Sequence, residues 1–333
     1  MSGEKGILVY AETSGSDIHP ISYELLGKAR EIAEKLGMQV WSVILGSGIS
    51  EKASELIYRG ADKVYVYEHE ALRELNVITY KNLLTELAKE IKPEVFLIGA
   101  TPWGRSLAPR IAAALNTGLT ADCTDLQVDE KGRLIQVRPA FTGNLLAYIE
   151  TVSKPIMATV RYRVMKPAER DPSRRGEVIV RRPENLDAGG VRFLGKVAER
   201  EVNLPDAEII VAGGRGLKRK EDLKLLEELA ELLGGVVGAS RPLVDEGWIS
   251  KDHQVGFSGN TVKPRLYIAC GISGSPQHLA GMRNSGLIIA VNTDPSAPIF
   301  RHADYGVVAD LYEFIPKLIR ILREAKRRGR GAN

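Results

Sequence analysis

Gly271, Ser273, Gly274, Ser275, Pro276, Gln277 and His278 put a glycine-serine turn directly before a titratable side chain. Such a turn can cradle a phosphate. Glycine lets the backbone come close to a ligand, and unpaired N–H groups at a helix start favour an anion. Ser275 is placed to cap a helix, and Pro276 suits its first position, where no N–H is needed. His278 then falls in the first helical turn, beside whatever binds. A plain strand–helix connection has the same local signature, and this stretch alone does not separate the two.

The element before the turn is Leu266–Cys270, a short apolar run of the kind that forms a strand covered on both faces. The same alternation of apolar runs and amphipathic stretches extends through the chain. Strands are expected at Gly6–Tyr10, Val40–Leu45, Lys63–Tyr67 and Val95–Ile98, with helical stripes between them. From Thr117 to Val160, glycine and proline punctuate β-rich segments, read as an antiparallel extension of the sheet. Arg105 and Arg110 near a helix start oppose its dipole, so they are expected to serve a partner or a carboxylate elsewhere.

The fold class is α/β, with two domains, each built on a mostly parallel, doubly wound sheet with helices on both faces. Residues 1–204 are expected to form the N-terminal domain, a unit similar to the adenine-nucleotide α-hydrolase-like domains. Its stretch 165–204, charged and rich in Pro and Gly, is read as a linker in which Val178–Val180 crosses back as a short strand. Residues 205–333 form the second domain.

The 333 residues carry a net charge of +4 and are 44% hydrophobic, so the chain is globular. Its basic excess lies largely in the tail from Lys317 to Arg330, which suits a solvated helix end and lacks the motif support of a nucleic-acid binder. No apolar run reaches the roughly 20 residues of a membrane span. The N-terminus lacks a secretory apolar region, and the expected compartment is cytoplasmic. Two distant cysteines and five scattered histidines show no metal-ligand spacing. No side chain is singled out as catalytic.

Gly213 to Leu217, Gly238 to Arg241, Gln254 to Gly256, Tyr267 to Met282, Asp294 to Phe300 and Ala303 to Leu311 follow one another in an order that resembles the α subunit of electron transfer flavoprotein. Gly104 to Arg110, Thr117 to Leu126 and Arg138 to Phe141 extend the resemblance over the first domain. It implies one FAD held mainly by the second domain, and a heterodimer with a β subunit. Carried over by position, the cofactor contacts fall on Arg215, Ser240, Arg241, Gln254, Val255, Gly256, Phe257, Ser258, Ser273, Gly274, Ser275, Pro276, Gln277, His278, Asn292, Asp310 and Leu311. The turn from Ser273 suits the pyrophosphate. Asn292 and Asp310 suit the ribose and adenine edges, although Asn292 also suits a turn before Pro295 and Asp310 a helix cap. Ser258 offers a hydroxyl near the flavin N5. Arg241 and His278 are expected to place positive charge near the flavin ring, where it would stabilise an added electron.

The implied role is an electron carrier rather than a stand-alone catalyst. Two versions compete. One shuttles electrons from a flavin dehydrogenase to a quinone oxidoreductase. The other is the α subunit of a bifurcating complex, in which a second FAD in the β subunit meets NADH. A non-redox nucleotide-binding regulatory module is the alternative of a different class.

Overall fold

The computed structural model describes residues 5–15, 17–140, 145–184, 186–195 and 204–330. These fall into two compact units, one ending at Gly195 and the other carrying the chain from residue 204 onward.

In the first unit, seven strands lie in the order Glu177–Arg181, Lys63–Glu68, Gln39–Gly46, Gly6–Ala11, Val95–Gly99, Ile156–Val160 and Leu119–Cys123. Every neighbouring pair is parallel. The central strands are buried at every position because helices cover both faces. Ile21–Leu36 packs Leu25, Leu26, Ala29 and Ile32 on one face. Val77–Ile91 and Pro102–Ala114 pack Tyr80, Leu84, Leu107 and Ile111 on the other. Glu24 ties the chain after the last central strand back to the first helix by accepting the N–H groups of Arg163 and Met165.

Two sequence expectations change here. Leu134–Ala140 and Leu145–Glu150 are antiparallel, but with Asp125–Val128 they form a separate three-stranded sheet. Ile156–Val160 is not part of an antiparallel extension. It is inserted in parallel between Val95–Gly99 and Leu119–Cys123. The reason lies in its side chains: all five are buried, as in a strand covered on both faces, whereas Leu145–Glu150 is largely exposed. Within the stretch read as a linker, Glu177–Arg181 forms the edge strand. Arg181 secures it through a two-pronged pair with Glu90 and by lying over Tyr65 and Tyr67. Arg105 does find its carboxylate: Nε lies 3.0 Å from Asp122 Oδ1.

In the second unit, five parallel strands run Val236–Ala239, Ile209–Gly213, Leu266–Cys270, Leu287–Asn292, Tyr305–Val308. The helices Leu223–Leu233 and Leu311–Arg330 share one face, and Pro276–Met282 lies on the other. Leu223, Leu226, Leu229 and Ala230 make the buried stripe of the first of these, which ends at Gly234 in the left-handed conformation. The strand order reverses between Ile209–Gly213 and Leu266–Cys270, and a doubly wound sheet opens a crevice beyond the carboxyl ends of such a pair.

The corresponding position in the first unit is filled by its own side chain. Glu12 follows the first strand, is 6% exposed, and accepts the Thr101 hydroxyl at 2.7 Å; Thr101 in turn caps Pro102–Ala114 through Gly104 N–H. Burial lifts the Glu12 carboxyl from 4.5 to about 7. As pH rises from 4.5 to about 7, the unfolded chain gives up this proton before the folded one, so the folded state loses stability. Glu12→Gln is therefore expected to raise the stability of this unit by on the order of 2 kcal/mol near pH 8 and to have little effect near pH 4, read as the pH dependence of the unfolding midpoint.

Candidate functional site

At the order reversal, two chain segments meet backbone to backbone. Gly214 N–H donates to Cys270 O, and Gly216 N–H to Gly271 O, each at 3.0 Å. A Cβ on Gly214 would fall 2.5 Å from Gly271 O, and one on Gly216 would fall 2.6 Å from Gly271 Cα. Gly271 itself has φ +62°, a region other residues rarely enter. Gly274 has φ +88°, and a Cβ there would meet the backbone of Ile299. The floor of the crevice is thus bare main chain, close enough for a ligand to touch it.

Above this floor is a cleft of ≈ 360 Å³. Of the residues read from sequence, Arg215, Ser240, Ser273, Gly274, Ser275, His278, Asn292, Asp310 and Leu311 line it. They arrive from the ends of all five strands and from the starts of Arg241–Asp245, Pro276–Met282 and Leu311–Arg330. Ser240 N–H is held by Gly213 O, and Ser275 caps the helix containing His278. Asn292 spends both ends of its amide locally: Nδ2 donates to Ile272 O, and Oδ1 accepts from Asp294 N–H. Asp310 caps the last helix by accepting Tyr312 N–H at 2.8 Å. The turn and cap roles noted from sequence are therefore both filled, by side chains that also face the cleft.

The remaining residues lie around the cleft rather than in its lining. Gln254 is buried and donates to Ser258 Oγ at 3.1 Å. Its loop is tied at both sides, by Val255 N–H to Ala239 O and by Phe257 N–H to Gln277 O. Gly256 fits against the helix so closely that a Cβ on Gly281 would sit 2.4 Å from its nitrogen. Pro276 and Gln277 are exposed on the first turn of that helix. Arg241 is exposed and paired with Asp245 one turn on, at 3.1 Å.

His278 departs from the expected charge. Its side chain is buried, and burial pulls its pKa from 6.5 to about 4, with the Val255 main chain acting weakly in the opposite sense. The ring is neutral near pH 7. Nε2 lies 3.0 Å from the Tyr267 hydroxyl, and Nδ1 is buried with no hydrogen-bond partner among the described residues. Positive charge at the cleft comes instead from Arg215 and from Lys218, which sequence reading missed. Lys218 is held by its own main chain, whose N–H donates to Tyr312 Oη at 2.7 Å, and by its ammonium over the Tyr312 ring. The signal for it was present: Lys218, Arg219 and Lys220 follow the Gly213–Leu217 turn directly. Pro242, Ile272 and Thr293 also line the cleft without having been singled out.

A main-chain floor, two cations and an orphaned ring nitrogen suit a ligand with a diphosphate and a hydrogen-bonding ring. The fold and cleft together define a dinucleotide-binding protein. Residues 7–185 match the family described as electron transfer flavoprotein domain, and residues 203–283 the electron transfer flavoprotein FAD-binding domain. The electron transfer flavoprotein subunit alpha of Thermoanaerobacterium thermosaccharolyticum is 50% identical over 331 residues, covering 98% of this chain and 100% of that one. The subunit alpha of Megasphaera elsdenii is 46% identical, covering 97% of each. Subunit LctC of the lactate dehydrogenase (NAD(+),ferredoxin) of Acetobacterium woodii is 45% identical, covering 96% of this chain and 77% of that one. The chain belongs to the electron transfer flavoprotein α-subunit family. It carries FAD, transfers electrons through it, and acts with a β subunit. Among the described residues, no helix is long and apolar enough to cross a membrane, and no cluster of side chains could hold a metal ion.

Gly216→Ala tests the backbone contact on which the cleft rests. The added methyl meets main chain rather than a flexible side chain, so the two turns must part. The expected result is a loss of roughly 1–3 kcal/mol in stability of the second unit and at least about tenfold weaker FAD binding, measured by denaturation and by flavin-fluorescence titration.

Proposed function

We propose that FAD occupies this cleft, with its diphosphate over Gly271–Ser275 and its flavin ring toward Ser240, Arg241 and His278. The observation that carries the reading is the contact between Gly214, Gly216 and Gly271, which leaves bare main chain where a diphosphate must approach. Bound FAD supplies the group that accepts and passes on electrons. The chain's own residues bind and orient it. Arg215 and Lys218 balance the phosphate charge. The Gln254–Ser258 loop, tied to Ala239 and Gln277, presents the Ser258 hydroxyl from a fixed support. Asn292 and Asp310 hold the edges of the cleft at the ends of their elements.

Arg241 is placed to supply charge near the ring. Its partner Asp245 is solvent-exposed, and an exposed ion pair of this kind holds a side chain by at most about 1 kcal/mol. The guanidinium is therefore free to exchange that carboxylate for a ring that gains negative charge on reduction. Arg241→Ala is expected to lower the FAD reduction potential, and Arg241→Lys to recover most of it. Equal potentials in all three proteins, measured by redox titration, would remove this role.

Of the two electron-carrier versions, similarity to LctC supports the bifurcating one, because the name of that relative pairs NAD(+) with ferredoxin. The donor and acceptor would then be NAD-linked and iron–sulfur proteins rather than a quinone oxidoreductase. Purification together with the β subunit, followed by flavin and nucleotide quantification, is expected to yield two FAD per heterodimer. One FAD with one AMP would return the protein to the shuttle reading, and a colourless heterodimer would contradict both.

A further inference from the structure

Tyr267 is the second residue of the central strand Leu266–Cys270 and has no exposed surface. Its hydroxyl meets His278 Nε2 at 3.0 Å, the rings tilted 59° with centroids 6.2 Å apart. We propose that Tyr267 fixes the tautomer of His278, donating its hydroxyl proton to Nε2 so that the ring proton resides on Nδ1 and faces the cofactor as a neutral hydrogen-bond donor. The proposal rests on the reading that FAD fills the cleft His278 lines.

The assignment follows from counting protons in a dry place. Burial keeps the phenol proton on Tyr267 and keeps the imidazole neutral, so the pair shares one O–H and one ring N–H. Two arrangements are possible. In one, the hydroxyl donates to Nε2 and the ring proton sits on Nδ1. In the other, Nε2–H donates to the phenol oxygen. The second strands the phenol proton, because His278 is the only hydrogen-bond partner of this hydroxyl among the described residues, and it leaves Nδ1 as a bare buried lone pair. The first leaves only the Nδ1–H unpaired, and that group belongs to a residue lining the cleft. The first arrangement thus leaves one buried group without a partner and the second leaves two, each at the cost of an unmade hydrogen bond. The consequence is an oriented dipole rather than a charge. A flavin's pyrimidine edge, rich in acceptors, matches such a donor, and the match strengthens as the ring gains electron density.

Tyr267 would be a positioning residue, acting through His278 and touching no cofactor atom itself. The test is ¹⁵N-histidine NMR on the full heterodimer, with FAD and after its removal, the His278 signals being assigned by their loss in His278→Gln. The expected wild-type pattern is a protonated Nδ1 and a bare Nε2 in both states, with the Nδ1 signal shifting when FAD binds. In Tyr267→Phe the ring is expected to revert toward the Nε2–H form that free imidazole side chains prefer. FAD binding should weaken about fivefold, the worth of one ordinary hydrogen bond, and the reduction potential should fall. A protonated Nε2 in the wild type overturns the proposal. So does a Tyr267→Phe protein with unchanged tautomer and potential. Should Tyr267→Phe fail to fold, the wild-type tautomer decides alone. The predicted tautomer with signals unmoved by FAD upholds the hold of Tyr267 and overturns the placement of FAD beside His278.

Discussion

The second unit depends on two glycine turns that touch without side chains between them. Gly214 and Gly216 bond to Cys270 and Gly271 at the ends of adjacent parallel strands, so the chain brings two strand ends within main-chain distance exactly where the sheet reverses direction. Everything else in the cleft is referred to that contact. Around it Ser275 begins its helix, Ser240 is anchored to Gly213, and Asn292 and Asp310 approach from the next two strands. A Cβ on Gly214, Gly216 or Gly271 would fall within 2.7 Å of the main chain of the facing turn, so a side chain at any of the three would part the turns.

The two units place different groups at equivalent points of similar sheets. In the first, the carboxyl of Glu12 fills the position before the Thr101 cap. In the second, the position is left to main chain, Arg215 and Lys218, and no acidic side chain from the turn enters it. One point is filled by the chain's own buried carboxyl, and the other opens into a cleft lined by Arg215 and Lys218, with Asp310 as its acidic side chain.

Much of this was legible in the residues. Fully apolar runs at Leu8–Ala11, Phe96–Ile98 and Tyr267–Cys270 announce covered parallel strands, and glycine spacing announces the turns after them. What was not legible depends on distant partners. Ile156–Val160 has the composition of a covered strand, but its place between two earlier strands is a long-range choice that no local pattern encodes. Lys218 is aimed by Tyr312, far along the chain. The neutrality of His278 arises because a strand residue, Tyr267, and the 254–260 loop enclose it from two sides, and a histidine at a helix start carries no mark of that burial in sequence. Arg241 shows the reverse case. Its partner Asp245 stands at the readable i,i+4 spacing, yet the sequence expectation looked only toward the cofactor.

The central claim is that the turn pair at the order reversal of the second unit, and not the equivalent point of the first, receives FAD. Amide hydrogen exchange of the heterodimer with and without FAD measures this directly. FAD-dependent protection is expected at 213–218, 239–241, 271–278 and 309–311, with Glu12 and Thr101–Gly104 unchanged. Protection concentrated around Glu12 and Thr101, with the 271–278 turn exchanging equally in both states, would contradict it.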